Sequence, residues 1–199
     1  MIAIIDYGIG NLRSVQKAFE FLGFDALITD NKQQLIDASH IVLPGVGAFA
    51  DAADCFEKSG MRDTMLSEVS KGKPLLGICL GMQLLFDKSY ENGEYTGLGL
   101  VPGAVIPFEV NNLKVPHMGW NNLVARDNEL FDSGEDHYVY FVHSYHASGV
   151  PDEYIIAEAD YGYRFTAAVC KNNIFGLQFH PEKSGDTGLD ILRRFGGLK

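Results

Sequence analysis

The nine residues Leu75–Gln83, with the sequence LLGICLGMQ, decide the fold of this chain. Their first four residues form a short apolar run typical of a buried strand, and a helical pattern follows from Leu80 to about Phe86. Because glycines flank Cys79, the backbone can turn sharply between the two elements and expose the cysteine side chain. The stretch therefore predicts a strand, a tight elbow that carries Cys79, and a helix.

Two similar units precede this elbow. The apolar run Ile2–Asp6 leads through a glycine-containing loop into a helical pattern at Asn11–Leu22, with Asn11 as the N-cap. A second buried-strand candidate, His40–Leu43, stops at the glycine-rich turn Pro44–Gly47. Alternating strands and helices predict a mainly parallel sheet flanked by helices, in which ligands bind beyond the carboxyl ends of the strands.

The second half of the chain has a different pattern. Short β-rich segments separated by turn residues predict antiparallel strands, and these segments are Ala104–Phe108, Tyr138–Val142, Tyr154–Ala157, Thr166–Cys170 and Ile174–Phe179. A closing helix is predicted from about Thr187 to Phe195. We therefore expect an α/β fold whose open, mainly parallel sheet is flanked by helices and carries an antiparallel β extension, in one domain of residues 1–199.

Composition limits the classes of function. The chain has 199 residues and a formal net charge of −10, which argues against a nucleic-acid-coating surface because phosphate binding needs clustered Lys and Arg. The cysteines Cys55, Cys79 and Cys170 show no metal-binding or disulfide spacing, so reduced cytosolic thiols are expected. No signal-peptide pattern is present, and no apolar run approaches the roughly 20 residues that span a bilayer. We expect a cytoplasmic protein that binds neither nucleic acid nor membrane.

Cys79 is the candidate nucleophile. The amino terminus of the following helix and a nearby imidazolium would both favour its thiolate form, whereas the alternative is a buried structural cysteine. A cysteine nucleophile needs a base and a third group that orients the base. His180 and Glu182 lie two residues apart just past a β-rich run and offer both, although alone they also fit a solvated loop.

Two glycine-containing loops are further candidates. The glycines of Pro44–Gly47 allow backbone N–H groups to point at a ligand, so that with the Leu80 N–H they could form an oxyanion hole; a plain turn is the alternative. The loop Tyr7–Asn11 suggests nucleotide binding, which we reject because Arg13 stands where the third glycine of G-x-G-x-x-G is needed.

The tryptophan and the histidines are less specific. Trp120 lies in the block His117–Asn121 and suits either an interface or the hydrophobic core. His143 and His146 have a spacing that could bind a metal, but no third ligand has convincing spacing. We expect neither a metal nor a cofactor.

Together these motifs resemble a known family. The blocks Gly77–Gln83, Pro44–Gly47 and His180–Glu182 look like those of the class I (triad) glutamine amidotransferases, whose fold is flavodoxin-like. Three further blocks are similar to the glutaminase subunits of imidazole glycerol phosphate synthases, and these are Asp6–Asn11, Pro116–Asn121 and Val142–Tyr145. The resemblance covers essentially the whole chain.

The resemblance implies that the chain hydrolyses L-glutamine. Cys79 would form a γ-glutamyl thioester, His180 would take the thiol proton and pass it to the departing ammonia, and Glu182 would orient His180. The residues implied for the oxyanion hole are Val46, Gly47 and Leu80. The residues implied for holding glutamine are Gly47, Gln83, Glu91, Ser144 and Tyr145.

The resemblance also implies a partner, a (β/α)8-barrel cyclase subunit that forms a heterodimer with the chain. Ammonia would pass through a tunnel to the cyclase, which makes imidazole glycerol phosphate and AICAR from the phosphoribulosyl intermediate (PRFAR) of histidine biosynthesis. The implied interface residues are Asn11, Arg13, Met118 and Trp120. Such glutaminases have almost no activity without their partner subunit. The Pro44–Gly47 loop would rearrange to complete the oxyanion hole.

Three alternatives stay open. The first is a paralogous glutaminase that feeds another synthase, such as an aminating enzyme of surface-sugar biosynthesis. The second is a γ-glutamyl peptidase on the same fold. The third is an inactive binding subunit, against which the intact set Cys79, His180 and Glu182 argues.

Overall fold

The computed structural model describes residues 1–134 and 137–199. The strands in these residues are β1 (Ile2–Ile5), β2 (Ala26–Thr29), β3 (His40–Gly45), β4 (Leu75–Cys79), β5 (Lys88–Ser89), β6 (Tyr95–Thr96), β7 (Ala104–Pro107), β8 (His117–Ala125), β9 (His137–His143), β10 (Tyr145–Ser148), β11 (Ile155–Asp160), β12 (Arg164–Lys171) and β13 (Ile174–Leu177). The helices are α1 (Leu12–Phe21), α2 (Lys32–Asp37), α3 (Phe49–Ser59), α4 (Arg62–Ser70), α5 (Leu80–Leu84) and α6 (Gly185–Gly196), and short 3-10 helices span Asp152–Tyr154 and Pro181–Lys183.

The parallel part of the sheet has the strand order β2-β1-β3-β4-β13. Side chains alternate between its two faces: Ile2 and Ile4 of β1 pack with α1 and α6, whereas Ala3 and Ile5 pack with the layer of α2 to α5. Because both faces are covered, these strands are apolar at successive positions, and this pattern identified β1, β3 and β4 in the sequence. β13, predicted among the antiparallel segments, pairs parallel with β4 and antiparallel with β12.

The antiparallel extension begins at β13. β12 pairs antiparallel with β13, β10 with β12, and β7 with β10, and the short strands β5 and β6 complete this edge. From β12 a second branch runs through β11 to β8, which pairs with β9 to form a two-stranded ribbon. The predicted fold class is confirmed.

The topology brings three strand ends together. The register aligns Gly45 at the end of β3 with Cys79 at the end of β4, and Leu177 at the end of β13 with Ile78. The segments that follow β3, β4 and β13 therefore meet at one edge of the sheet. These segments carry the residues predicted to be catalytic.

Some local predictions differ from the structure. The patterns did not identify the helices α2, α3 and α4 or the strands β2, β5, β6, β8 and β10. β8 is weak as a pattern because exposed Trp120 and Val124 interrupt the usual alternation of apolar and polar residues. Asn11 precedes α1, but its side chain makes no capping hydrogen bond, so its prediction as an N-cap was wrong in that respect. α5 ends at Leu84, two residues before the predicted end.

Candidate active site

Cys79 sits on a strained elbow between β4 and α5. Its φ of 54° lies in the left-handed region, which is uncommon for a residue with a side chain. The flanking glycines make this turn possible, because a Cβ on Gly81 would lie 1.8 Å from the carbonyl oxygen of Leu43, and one on Gly77 would lie 2.7 Å from that of Gly81. The elbow is thus packed directly onto β3 and turns the cysteine side chain towards a pocket.

His180 and Glu182 follow β13 and meet Cys79 at the sheet edge. The Nδ1 atom of His180 lies 2.9 Å from Oε1 of Glu182, and both side chains are almost completely buried. The turn is held from both sides, because the His180 N–H donates to the Tyr140 carbonyl at 3.0 Å and the Ser184 hydroxyl donates to the His180 carbonyl at 2.6 Å. The carboxylate therefore fixes the imidazole with Nδ1 protonated and leaves Nε2 for chemistry.

The electrostatics of His180 favour its charged form. Burial lowers the pKa of His180, but the neighbouring Cys79 and the hydrogen-bonded Glu182 outweigh burial and raise it to about 9. Nε2 is buried and has no hydrogen-bond partner that meets normal geometry among the described residues, so it is the ring nitrogen available to Cys79 and to a ligand. The imidazole is therefore able to hold a proton at neutral pH and to deliver it into the pocket.

The pocket has a volume of about 300 Å³, which suits a small ligand. Besides Cys79 and His180, it is lined by seven other residues that the sequence suggested for the oxyanion hole or for glutamine: Val46, Gly47, Leu80, Gln83, Glu91, Ser144 and Tyr145. Pro116, Val142 and His143 complete the lining. Val46 and His180, which are 134 positions apart in the sequence, thus face the same cavity.

Two side chains in the pocket have defined partners. Both amide hydrogens of Gln83 are used, one on the Tyr145 carbonyl at 3.2 Å and one on Oε1 of Gln178 at 3.1 Å. The Oε1 atom of Gln83 is left to accept from a ligand. Glu91 accepts the Phe49 N–H at 2.8 Å and so caps the start of α3, which fixes its carboxylate at the pocket wall.

The loop after β3 is anchored at its base. The Tyr7 hydroxyl donates to the Pro44 carbonyl at 2.7 Å, and burial raises the pKa of Tyr7, so this donor keeps its proton. Beyond the anchor, Val46 is 40% exposed and Gly47 has a φ of 100° that favours glycine. The base of the loop is therefore fixed while its tip faces the pocket.

The residues suggested for an interface lie outside the pocket. Met118 and Trp120 point outward from β8 and are 61% and 58% exposed. The alternative that Trp120 packs in the core is therefore wrong. Asn11 and Arg13 lie at the start of α1, and Asn11 borders a narrow cleft together with His180 and Glu182.

Sequence reasoning missed Gln178 and the partners of three histidines. Gln178 is completely buried, and its Nε2 lies 3.9 Å from the Cys79 sulfur. The available signal was a polar residue inside an otherwise apolar run, which demands a buried partner. His117, His143 and His146 lie in an aromatic cluster, where each imidazole has a hydrogen-bond partner within the protein.

Known proteins have sequences similar to this one. The sequence model of the glutamine amidotransferase class-I family matches residues 3–196. The chain is 53% identical over 196 residues to the imidazole glycerol phosphate synthase subunit HisH of Methanothermobacter thermautotrophicus, with 98% of this chain and 97% of the relative covered. It is 48% identical over 200 residues to the subunit of the same name from Caldanaerobacter subterraneus, with 100% and 98% covered.

Solved structures share the fold. The chain superposes on a crystal structure of a glutamine amidotransferase with a TM-score of 0.78 at 18% identity, with 100% of both chains covered. It superposes on the structure of PurLQS from Thermotoga maritima with a TM-score of 0.77 at 20% identity, with 98% and 96% covered. The sequence relatives, together with the family match over nearly the whole length, show that the chain belongs to the glutamine amidotransferase class-I family and, within it, to the family of imidazole glycerol phosphate synthase HisH subunits.

Proposed function

We propose that the chain is the glutaminase subunit of an imidazole glycerol phosphate synthase and acts in histidine biosynthesis. The observation that carries this proposal is that Cys79 and His180 line one pocket at the carboxyl edge of the sheet, with Glu182 hydrogen-bonded to the far nitrogen of His180. Relatives that are 48% and 53% identical over almost their whole length carry that subunit name. Residues 1–199 would form one glutamine amidotransferase domain.

In the proposed reaction, the Cys79 thiolate attacks the side-chain carbonyl carbon of glutamine. Backbone N–H groups of the Val46–Gly47 loop and of Leu80 stabilise the oxyanion. When the carbon–nitrogen bond breaks, the nitrogen takes the proton of His180, ammonia leaves, and a γ-glutamyl thioester remains. His180 then removes a proton from water, which attacks the thioester and releases glutamate and the free cysteine.

The pocket offers complementary groups for the backbone end of glutamine. The free Oε1 of Gln83 and the carboxylate of Glu91 are acceptors that suit the α-ammonium group. Ser144 and Tyr145 line the same pocket and would bind through their backbone. This arrangement places the side-chain amide of glutamine at Cys79.

We propose that a (β/α)8-barrel cyclase binds this chain as a heterodimer, since the relatives are named as subunits of a synthase. The exposed side of the β8–β9 ribbon, with Met118, Trp120 and the 54% exposed Tyr138, is an apolar surface suited to a protein interface. A partner docked over Asn11 would lie beside the cleft that reaches His180. Ammonia would then be delivered without entering bulk solvent.

We also propose that the protein works in the cytoplasm, because a free cysteine nucleophile needs reducing conditions. The described residues hold three free cysteines, Cys55, Cys79 and Cys170. No helix of the described ranges is long and apolar enough to cross a membrane.

Coupled turnover tests the proposed function. Glutamine, the phosphoribulosyl intermediate and a purified barrel cyclase should yield imidazole glycerol phosphate only when this chain is present, and Cys79→Ala should abolish the yield. An ammonium salt supplied in place of glutamine is the control, because it should restore product formation with the Cys79→Ala variant.

Two outcomes would contradict parts of the proposal. Ammonia release without imidazole glycerol phosphate would exclude the histidine-pathway acceptor and favour a paralogous glutaminase. The absence of ammonia release in the presence of the cyclase and its ligand would exclude the glutaminase assignment itself.

A further inference from the structure

Gln178 lies between β13 and the turn that carries His180, and the proposed reaction gives it no role. Its side chain is completely buried. One end of its amide faces the Cys79 sulfur at 3.9 Å, and the other end faces the Gln83 amide at 3.1 Å. A buried amide in contact with a nucleophile is significant only if its nitrogen, and not its oxygen, faces the sulfur.

The neighbouring hydrogen bonds determine which atom that is. The Gln83 amide lies 3.2 Å from the carbonyl oxygen of Tyr145, which can only accept, so the atom of Gln83 at this position is the nitrogen Nε2. The same nitrogen meets the Gln178 amide and must donate there as well. Gln178 therefore presents its oxygen to Gln83 and its N–H group to Cys79.

The Tyr145 carbonyl is held in place by a second donor. The Nδ1 atom of His143 lies 2.8 Å from this carbonyl and must carry a hydrogen. Because burial lowers the pKa of His143 to about 3, the imidazole is neutral at pH 7, and its Nε2 accepts from Nδ1 of His117 at 3.0 Å. Asn121 donates to the far nitrogen of His117 at 3.3 Å. A continuous series of hydrogen bonds thus runs from β8 to the sulfur.

We propose that Gln178 is a further catalytic residue, whose N–H group stabilises the Cys79 thiolate. In this arrangement Gln83 and the Tyr145 carbonyl are positioning groups, because they prevent the Gln178 amide from turning its oxygen to the sulfur. A hydrogen bond to a charged group stabilises more than one between neutral groups, and an enclosed site strengthens it further. The inference rests on the proposed function in one respect, that Cys79 is the nucleophile.

The pH dependence of Cys79 alkylation by iodoacetamide tests this inference in the full chain. The rate is followed by mass spectrometry of the Cys79 peptide between pH 5 and 9, because only the thiolate reacts. Gln178→Leu removes the donor, and we expect the midpoint to rise by about one pH unit and the rate below it to fall about tenfold. Gln178→Met also removes the donor, adds no charge, and should raise the midpoint by a similar amount.

Asn173→Leu is the matched control. Asn173 lies at the opposite end of β13, and its half-buried amide donates to the carbonyls of Val69 and Lys73 at 2.9 and 2.8 Å. Its loss should lower the thermal midpoint of unfolding about as much as the loss of Gln178, without moving the alkylation profile. The other titratable groups around the sulfur are unchanged in all variants, and these are His180, Tyr7 and the pocket residues Glu91, His143 and Tyr145.

An unaltered alkylation midpoint in a folded Gln178 variant would overturn the inference. If Gln178→Leu does not fold, Gln178→Met decides, because it keeps nearly the same volume and removes the donor without adding a charge beside the sulfur. Alkylation requires neither glutamine turnover nor a partner. A wild-type chain that fails to hydrolyse glutamine would therefore contradict the proposed function, while the alkylation midpoints would still test the role of Gln178. With glutamine as substrate, Gln178→Leu should lower kcat/KM about tenfold at pH 7.

Discussion

The carboxylate of Glu182 helps to keep His180 protonated. Burial alone would lower the pKa of His180 below its usual 6.5, whereas Cys79 and Glu182 bring it to about 9. A protonated imidazole can hand its proton to departing ammonia, and a neutral one cannot. The rate of glutamine cleavage should therefore fall as the pH rises through about 9 in the wild type.

Glu182→Gln removes this negative charge and keeps the shape. We expect the alkaline limb of the kcat/KM profile to move to lower pH by about one to three units, because the His180 pKa returns towards its ordinary value. We also expect kcat to fall by about 10²- to 10⁴-fold, since the amide no longer enforces the correct tautomer. The measurement is glutamine hydrolysis with saturating cyclase between pH 6 and 10.

Asp186→Asn is the matched control for Glu182→Gln. It neutralises an exposed carboxylate in the first turn of α6, four residues after Glu182. The alkaline limb should stay in place in this variant. An equal shift in both variants would mean that general surface charge, and not the hydrogen bond to His180, sets the pKa.

The packing of α5 against β3 is the tightest constraint on the elbow. Because a Cβ on Gly81 would lie 1.8 Å from the Leu43 carbonyl oxygen, Gly81→Ala must push the helix away from the strand. We expect the free energy of unfolding to fall by at least about 3 kcal/mol and glutaminase activity to be lost. Denaturant unfolding measures this loss.

A second glycine provides the comparison for Gly81→Ala. Gly197 follows α6 with a φ of −89°, and a Cβ there would meet backbone oxygens only at 3.5 Å. Gly197→Ala should change the free energy of unfolding by less than about 1 kcal/mol. If Gly81→Ala is equally mild, the close approach of α5 and β3 does not constrain the elbow.

The contact between β8 and β9 contains the buried, hydrogen-bonded pair His117 and His143, which makes the fold acid-sensitive. Burial lowers the pKa of His117 to about 4, and the ring stacks on Phe141 and Tyr161 with centroids 4.7 and 4.0 Å away. The unfolded chain takes up a proton below about pH 6.5 and the folded chain does not. Stability is therefore complete above pH 6.5 and is lost as the pH falls towards 4.

His117→Phe keeps the stacking and removes this titration. The variant should be less stable at pH 7, since it lacks two hydrogen bonds, but its free energy of unfolding should depend less steeply on pH between 4 and 6.5. The slope should differ by up to one proton, about 1.4 kcal/mol per pH unit. Phe141→Leu, which loses packing but no titratable group, should lower stability equally at every pH. A parallel slope in His117→Phe would contradict the neutral imidazole.

At the scale of the whole molecule, binding of the partner subunit is expected to depend on the exposed face of β8. Trp120→Glu places a charge on the exposed face of β8 and should weaken cyclase binding at least about 30-fold, because buried aromatic anchors carry much of an interface's affinity. Since Trp120 is 58% exposed, the fold should be unaffected. Calorimetric titration of the cyclase provides the measurement, with circular dichroism as the check on folding.

Phe21→Ala tests whether this effect is specific to β8. Phe21 is also an exposed large apolar residue, at 78%, but it lies at the end of α1 farthest from Asn11 and Arg13. Its loss should leave the affinity for the cyclase unchanged. Weaker binding in Phe21→Ala, with normal binding in Trp120→Glu, would place the interface elsewhere.

The sequence by itself determined the parallel strands β1, β3 and β4, the elbow at Cys79 and the chemical types of the triad. These features depend on local rules: apolar runs form buried strands, and glycines beside Cys79 permit the turn. The pocket wall around Gln83 and Glu91 followed from resemblance to a family, because no local pattern connects those residues to Cys79.

Only the tertiary structure decided which groups meet. Gln83 and Gln178 are 95 residues apart, and their hydrogen bond exists because β4 and β13 are neighbours in the sheet. The same holds for the neutral pair His117 and His143, which face each other across β8 and β9. Burial and partners set the charge and orientation of a side chain, and both depend on residues that a local pattern does not contain.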